Sequence, residues 1–160
     1  MPVHTVVESP IGPLTAVRDG AAITGLYFPA HAPAPAPARL GERDDTGFDD
    51  LRAQLTEYFA GTRHAFDLEL APSGTDFQVD VWGALRTIPY GTTWTYTEVA
   101  TAVGRPGSVR AVAAANGRNP LSIVVPCHRV IGASGSLTGF AGGLDRKRFL
   151  LDLESGDRLF

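Results

Sequence analysis

One cysteine stands in 160 residues, and one lysine among fourteen cationic side chains. A single thiol forms no internal disulfide and supplies no cysteine-rich zinc module, so the fold must rest on its core, as in proteins of a reducing compartment. His4, His31 and His64 lie far from Cys127 in the chain and without ligand spacing, which disfavours a metal site. No apolar run approaches the ~18 residues of a membrane span, and Met1-Pro2-Val3-His4-Thr5 leads into no basic-then-apolar segment of a secretory signal. With 44% apolar and 19% charged residues, disorder, collagen and coiled coil are excluded. What is left is a globular chain of one domain or two small ones.

The net charge of −3 argues against a nucleic-acid partner until its distribution is considered. Residues 1–73 hold five arginines against ten acids, whereas residues 74–160 hold eight arginines and one lysine against seven acids. Arg105, Arg110, Arg118, Arg129, Arg146, Lys147 and Arg148 follow one another with Asp145 as the one acid between them. A local basic surface, not the net charge, is what phosphate contacts require.

Val3–Glu8, Leu14–Arg18 and Ala22–Phe28 read as short strands, and Asp19-Gly20 predicts a hairpin whose two central positions take positive φ. The opening is therefore a small antiparallel sheet. The alternating alanines and prolines up to Ala38 predict an extended surface loop. Phe48, Leu51, Leu55, Tyr58 and Phe59 recur at helical spacing, and Phe66, Leu68 and Leu70 alternate as in a strand. Ala71-Pro72-Ser73-Gly74 marks a boundary between an N-terminal scaffold, residues 1–73, and a C-terminal unit, residues 74–160.

Thr75-Asp76-Phe77-Gln78 and Thr95-Tyr96-Thr97-Glu98 both fit the capping box, in which the first side chain accepts from a free helix amide and the fourth reaches back. The first helix ends before Pro89-Tyr90-Gly91 and the second runs to Gly104; a third follows Arg105-Pro106-Gly107, from Ser108 to about Asn116. The last two form a helix-turn-helix candidate. On its second helix Arg110 stands among Ala111, Ala113, Ala114 and Ala115, a pattern that a packed core helix with one snorkelling arginine fits equally.

Leu121-Ser122-Ile123-Val124-Val125 predicts a buried strand that ends at Pro126-Cys127-His128-Arg129-Val130, followed by the flexible stretch Gly132-Ala133-Ser134-Gly135-Ser136. A lone cysteine beside an apolar run is ordinarily an inert core residue. Here His128 is adjacent, Arg129 adds positive charge and the glycine-rich stretch leaves room for a ligand, all of which favour a reactive thiolate. Neighbours on a strand point to opposite faces, so His128 is expected to reach the sulfur through water. On these residues alone a Cys–His hydrolase stays open.

Pro126-Cys127-His128-Arg129-Val130 resembles the active-site signature of the O6-alkylguanine-DNA alkyltransferases. Gly74-Thr75-Asp76-Phe77-Gln78 with Val81-Trp82, Ile88-Pro89-Tyr90-Gly91, Asn119-Pro120 and Gly139-Phe140-Ala141-Gly142-Gly143-Leu144 agree in order, over residues 74–154. Ser9-Pro10-Ile11-Gly12-Pro13-Leu14 and Gln54-Leu55 with Tyr58-Phe59 extend the likeness more loosely. The resemblance implies an α/β (α+β) protein: a ribonuclease-H-like antiparallel sheet plus helix, then a helical domain with the helix-turn-helix and the cysteine. It implies direct DNA repair by irreversible, stoichiometric transfer of the alkyl group of O6-alkylguanine, with O4-alkylthymine as a further substrate, to Cys127.

The same resemblance assigns roles. His128 is the general base acting through water, Glu154 the carboxylate that orients it, and Asn119 the tie between the turn after the recognition helix and the active-site segment. Tyr96 assists base extrusion and proton delivery to the departing guanine. Arg110 fills the vacated stack from a helix whose small residues, Ala111 and Ala114, suit the minor groove of double-stranded DNA. Val130, Phe140, Ala141 and Gly142 line the substrate pocket; Phe140 and Ala141 stand where some members carry Tyr and Ser, which bears on the size of alkyl group accepted. No cofactor or metal is implied, since the cysteines of the zinc site found in some members are missing. The protein is expected to be a cytoplasmic, nucleoid-associated monomer. The rival readings are a non-catalytic lesion-binding protein, which typically lacks the cysteine, and a helix-turn-helix regulator that binds one operator regardless of damage.

Overall fold

The computed structural model of the chain describes residues 1–31, 34–135, 137 and 140–156. Ala32 and Pro33 of the alanine-proline stretch, Ser136 of the glycine-rich stretch and Gly139 of the last motif lie outside the described residues.

Strands β1 (Pro2–Val7), β2 (Leu14–Asp19) and β3 (Ala22–Tyr27) pair antiparallel in succession, and the two-residue β4 (Glu42–Arg43) joins β1 in parallel, giving the order β3-β2-β1-β4. The sheet is therefore mixed, where the sequence pattern predicts a purely antiparallel one. The cause is local: the alanine-proline stretch does not stay extended to its end but turns into the short helix α1 (Pro37–Leu40), which returns the chain to β1. Pro37 suits the first helical turn because no amide is needed there. The hairpin also differs in detail. Asp19 pairs with Ala22, so the central positions are Gly20 and Ala21, and of these only Gly20 has positive φ, +62°. Glycine in the first central position is the other favoured two-residue loop.

Helix α2 (Asp49–Phe59) turns Leu51, Leu55 and Tyr58 into the core they share with Leu14, Ala16 and Leu26 of the sheet. Phe66, Leu68 and Leu70 keep their alternating half-burial but form no strand. Only Leu70 bridges, with Ile23 N–H donating to Glu69 O (2.9 Å) and Ala71 N–H to Ile23 O (3.0 Å). Leu26 makes a second such bridge with Leu121: its N–H donates to Pro120 O (2.8 Å) and its carbonyl accepts from Ser122 N–H (3.2 Å). The edge of β3 is thus capped by two passing segments, and the second of them leads to Cys127.

The helices of the second half are α3 (Asp76–Leu85), α4 (Tyr96–Ala102), α5 (Val109–Gly117) and α6 (Leu144–Ser155). Both capping boxes are present with reciprocal bonds, Thr75 with Gln78 and Thr95 with Glu98. Trp82 Nε1 donates to Ala115 O (2.8 Å), tying α3 to α5. A parallel pair that no sequence pattern announces, β5 (Trp94–Thr95) with β6 (Val130–Ile131), lays the start of α4 beside the chain leaving the cysteine. No described helix is long and apolar enough to cross a membrane.

Candidate active site

The apolar run before Cys127 is buried throughout, yet it is a coil and not the expected strand. Val124 N–H donates to Ser122 O (2.9 Å) across Ile123, whose φ is +74°. Cys127 N–H donates to Val125 O (2.8 Å) across Pro126 at φ −81°, ψ 64°. These are two γ-turns of opposite hand, the second pre-set by the proline ring and the first strained, since a β-branched residue at positive φ costs roughly 1–3 kcal/mol. Asn119 holds the coil in place: its Nδ2 donates to Val125 O (2.8 Å) and its Oδ1 accepts from Leu121 N–H (3.0 Å). Burial on every side makes strand and coil indistinguishable by periodicity.

Cys127, His128 and Arg129 then form a single 3₁₀ turn, so the strand-based argument for opposite faces fails. The turn aims His128 and Arg129 together at one carboxylate. His128 Nε2 lies 2.7 Å from Glu154 Oε2, Arg129 Nε donates to Oε1 (2.7 Å) and Arg129 Nη2 to Oε2 (3.0 Å). Tyr58 Oη donates to Oε2 at 2.6 Å, and the remaining Arg129 nitrogen, Nη1, donates to Ile88 O (2.7 Å). Glu154 is thus no solvated helix end; all four side chains are buried.

Charge states follow from this geometry. Although burial pushes it upward, His128 and Arg129 beside Glu154 hold its carboxyl well below the usual carboxylate range. Burial pulls His128 below its ordinary value despite the opposing pull of Glu154. The histidine is therefore neutral, and since an ionised carboxylate only accepts, Nε2 carries the proton. Nδ1 keeps a lone pair and has no hydrogen-bond partner among the described residues. Burial likewise pushes the Cys127 thiol up, against Asn119 and the Lys147 ammonium, which pull it down. At rest the site holds a protonated thiol beside a neutral imidazole. Among the described residues no three of His, Cys, Asp and Glu gather as metal ligands do.

Two of the cations counted from the sequence are not surface charges. Arg129 is consumed by Glu154, and Lys147 is fully buried with Nζ donating to Val130 O (2.6 Å). Arg105, Arg110, Arg118 and Arg148 remain exposed. On α5, Arg110, Ala111 and Ala114 form the exposed side while Val112, Ala115 and Asn116 are buried. Tyr96 is half-buried at the first position of α4. Val130 is fully buried behind the 3₁₀ turn. Phe140 packs on Phe28 with centroids 5.4 Å apart, Ala141 is half-buried, and Gly142 lies so close to the Phe28 ring that no Cβ fits between them.

Two residues of the cluster have roles that the sequence pattern does not reveal. Position alone makes Arg129 a source of local field, although a cation between His128 and Val130 at the end of an apolar run already requires a buried partner. Tyr58 falls within the apolar stripe of α2; a phenol in such a stripe needs an acceptor, and that is the signal by which it can be found.

Residues 76–156 match the family model described as 6-O-methylguanine DNA methyltransferase, DNA binding domain, and residues 3–72 match its ribonuclease-like domain. The methylated-DNA–protein-cysteine methyltransferase of Mycobacterium tuberculosis (strain H37Rv) is 51% identical over 152 residues, 94% of this chain and 91% of that one. That of Methanosarcina acetivorans is 48% identical over 152 residues, covering 94% and 97%. A crystal structure of Mycobacterium tuberculosis OGT in complex with DNA has a TM-score of 0.88 at 50% identity, covering 96% of this chain and 92% of that one.

Glu154→Gln leaves the Arg129 guanidinium buried without its counter-charge and is expected to cost roughly 3 kcal/mol or more, read as a lower urea midpoint at unchanged slope. A depressed carboxyl contributes stability that is full above its unfolded value of about 4.3 and is lost as pH falls below it. The gap between wild type and variant therefore narrows on acidification; a gap that ignores pH would show that the ionised carboxylate is not what holds the cluster.

Proposed function

The chain belongs to the 6-O-methylguanine DNA methyltransferase family, and we propose that its alkyl acceptor is Cys127, activated by His128 and held in register by Glu154 and Asn119. The reaction is direct repair: the alkyl group of O6-methylguanine leaves the lesion for a protein cysteine. The observation that carries the assignment of residues is the 2.7 Å contact between His128 Nε2 and Glu154 Oε2. With Nε2–H committed to Glu154, Nδ1 is the nitrogen left to take the thiol proton.

In the proposed sequence the thiol proton passes to His128 Nδ1 through a bridging water, and the sulfur attacks the alkyl carbon. A carbon–sulfur bond forms as the carbon–O6 bond breaks; the departing guanine takes a proton from Tyr96, and the proton held by His128 passes through solvent to restore the phenol. Glu154 stabilises the transient imidazolium without itself being protonated. The product is a thioether, and nothing in a Cys–His–Glu site cleaves one. Each molecule therefore acts once, and no cofactor enters.

Cys127 is only 4% exposed, so no guanine stacked in a duplex reaches it. The nucleotide must be flipped out, at a cost of roughly a few kcal/mol. The exposed side of α5 is suited to flipping, for Ala111 and Ala114 keep the helix thin enough for a minor groove about 6 Å wide, and Arg110 is long enough to occupy the emptied stack. Exposed Arg105 and Arg118 beside it favour the phosphates, and the DNA complex of the Mycobacterium tuberculosis relative supports the same partner here. Val130, Phe140, Ala141 and Gly142 receive the flipped base. Residues 1–73 serve as scaffold and residues 74–160 carry the DNA surface and the acceptor, in a monomer.

Incubation with duplex DNA containing O6-methylguanine is expected to add one methyl group to the intact mass of the wild type and none to Cys127→Ser. An adduct that survives the substitution would place the acceptor elsewhere. Arg110→Ala is expected to slow repair of the duplex about tenfold, a stacked filler being worth ~1–3 kcal/mol, while reaction with free O6-benzylguanine is unchanged. Equal slowing of both would remove the role in flipping.

A further inference from the structure

Among the described residues Tyr58 is the one member of the Glu154 cluster drawn from the N-terminal half, 96 residues from the carboxylate it serves. Neither the motif around Cys127 nor the helix-turn-helix explains it. Its ring is fixed by Phe59, Phe66 and Tyr90, with centroids 5.3, 5.4 and 6.3 Å away. A buried phenol needs an acceptor, and any backbone carbonyl would have met that need. Instead the hydroxyl donates at 2.6 Å to Oε2, the oxygen that also takes Nε2–H of His128 at 2.7 Å and Arg129 Nη2 at 3.0 Å. An oxygen that accepts three donors shares its negative charge among them, and what Tyr58 draws is withheld from His128.

We propose that Tyr58 is a positioning residue for alkyl transfer: its hydroxyl, by holding part of the charge on Glu154 Oε2, sets how strongly His128 is drawn toward the imidazolium and so how basic Nδ1 is toward Cys127. This rests on reading Cys127, His128 and Glu154 as the proton relay. Among the described residues the other charged or titratable groups facing the relay are Arg129 on the same turn, Tyr90 in the turn after α3 and Lys147 on α6. All are retained when the phenol alone is altered.

The test is the rate of methyl transfer from duplex O6-methylguanine to Cys127 against pH, in the full chain. Tyr58→Phe keeps the ring and removes the hydroxyl, which leaves more charge for His128 and stabilises its protonated form. Its acid limb is expected to move to higher pH by roughly half a pH unit, a threefold fall in rate on that limb. Fluorotyrosine in place of Tyr58, a stronger donor of nearly the same shape, is expected to move the limb the other way. If both profiles superimpose on that of the wild type, with at most a lowered thermal midpoint, Tyr58 is a packing residue and the proposal fails while the relay stands. A limb moving to lower pH in Tyr58→Phe overturns it as well. A wild type that transfers no methyl to Cys127 defeats the relay itself, and that outcome is read from the mass of the wild type alone.

Discussion

A carboxylate buried in a protein interior is tolerable only when its lone pairs are met, and Glu154 organises the molecule around that requirement. Its four donor contacts come from one 3₁₀ turn and from α2 in the N-terminal half of the chain. The scaffold sheet and helix are thereby joined to the chemistry by a bond to a charged group, and not by apolar contact alone. The same requirement selects the histidine tautomer: because the acceptor is ionised, the proton must sit on Nε2. One electrostatic constraint thus sets the charge state of the cluster and the histidine tautomer together.

The thiol is governed by the opposite condition. Cys127 is kept dry and protonated, and its backbone is reached through two tight turns, one of them strained at Ile123. A resting thiolate in that position would be exposed to indiscriminate oxidation and alkylation; a thiol that loses its proton only when a base and an electrophile are both at hand would not. Burial also keeps a base stacked in a duplex from reaching Cys127, and it is for this reason that the proposed reaction calls on the exposed side of α5 to extrude it.

What could be read from the sequence divides along the range of the interactions. Both helix starts at Thr75 and Thr95 were legible because a capping box is closed within four residues. The course of residues 121–125 was not, because a fully buried run carries no periodicity and its turns are imposed by Asn119 and by the edge of β3. The parallel strand β4 was hidden for a related reason: two exposed residues acquire their pairing only from where α1 delivers them. Counting Arg129 and Lys147 as surface charge failed because composition does not distinguish a solvated cation from one buried against a carboxylate or a carbonyl. Tyr58 lies furthest from local reading, since its partner is nearly a hundred residues away.

The central claim is that an ionised Glu154 leaves His128 neutral, with its proton on Nε2 and a lone pair on Nδ1. Nitrogen-15 spectra of the histidine-labelled protein at neutral pH, with the His128 signals assigned by their loss in His128→Gln, report that state directly. A pyrrole-type Nε2 and a pyridine-type Nδ1 are expected. A proton on Nδ1, or a doubly protonated ring, would contradict it.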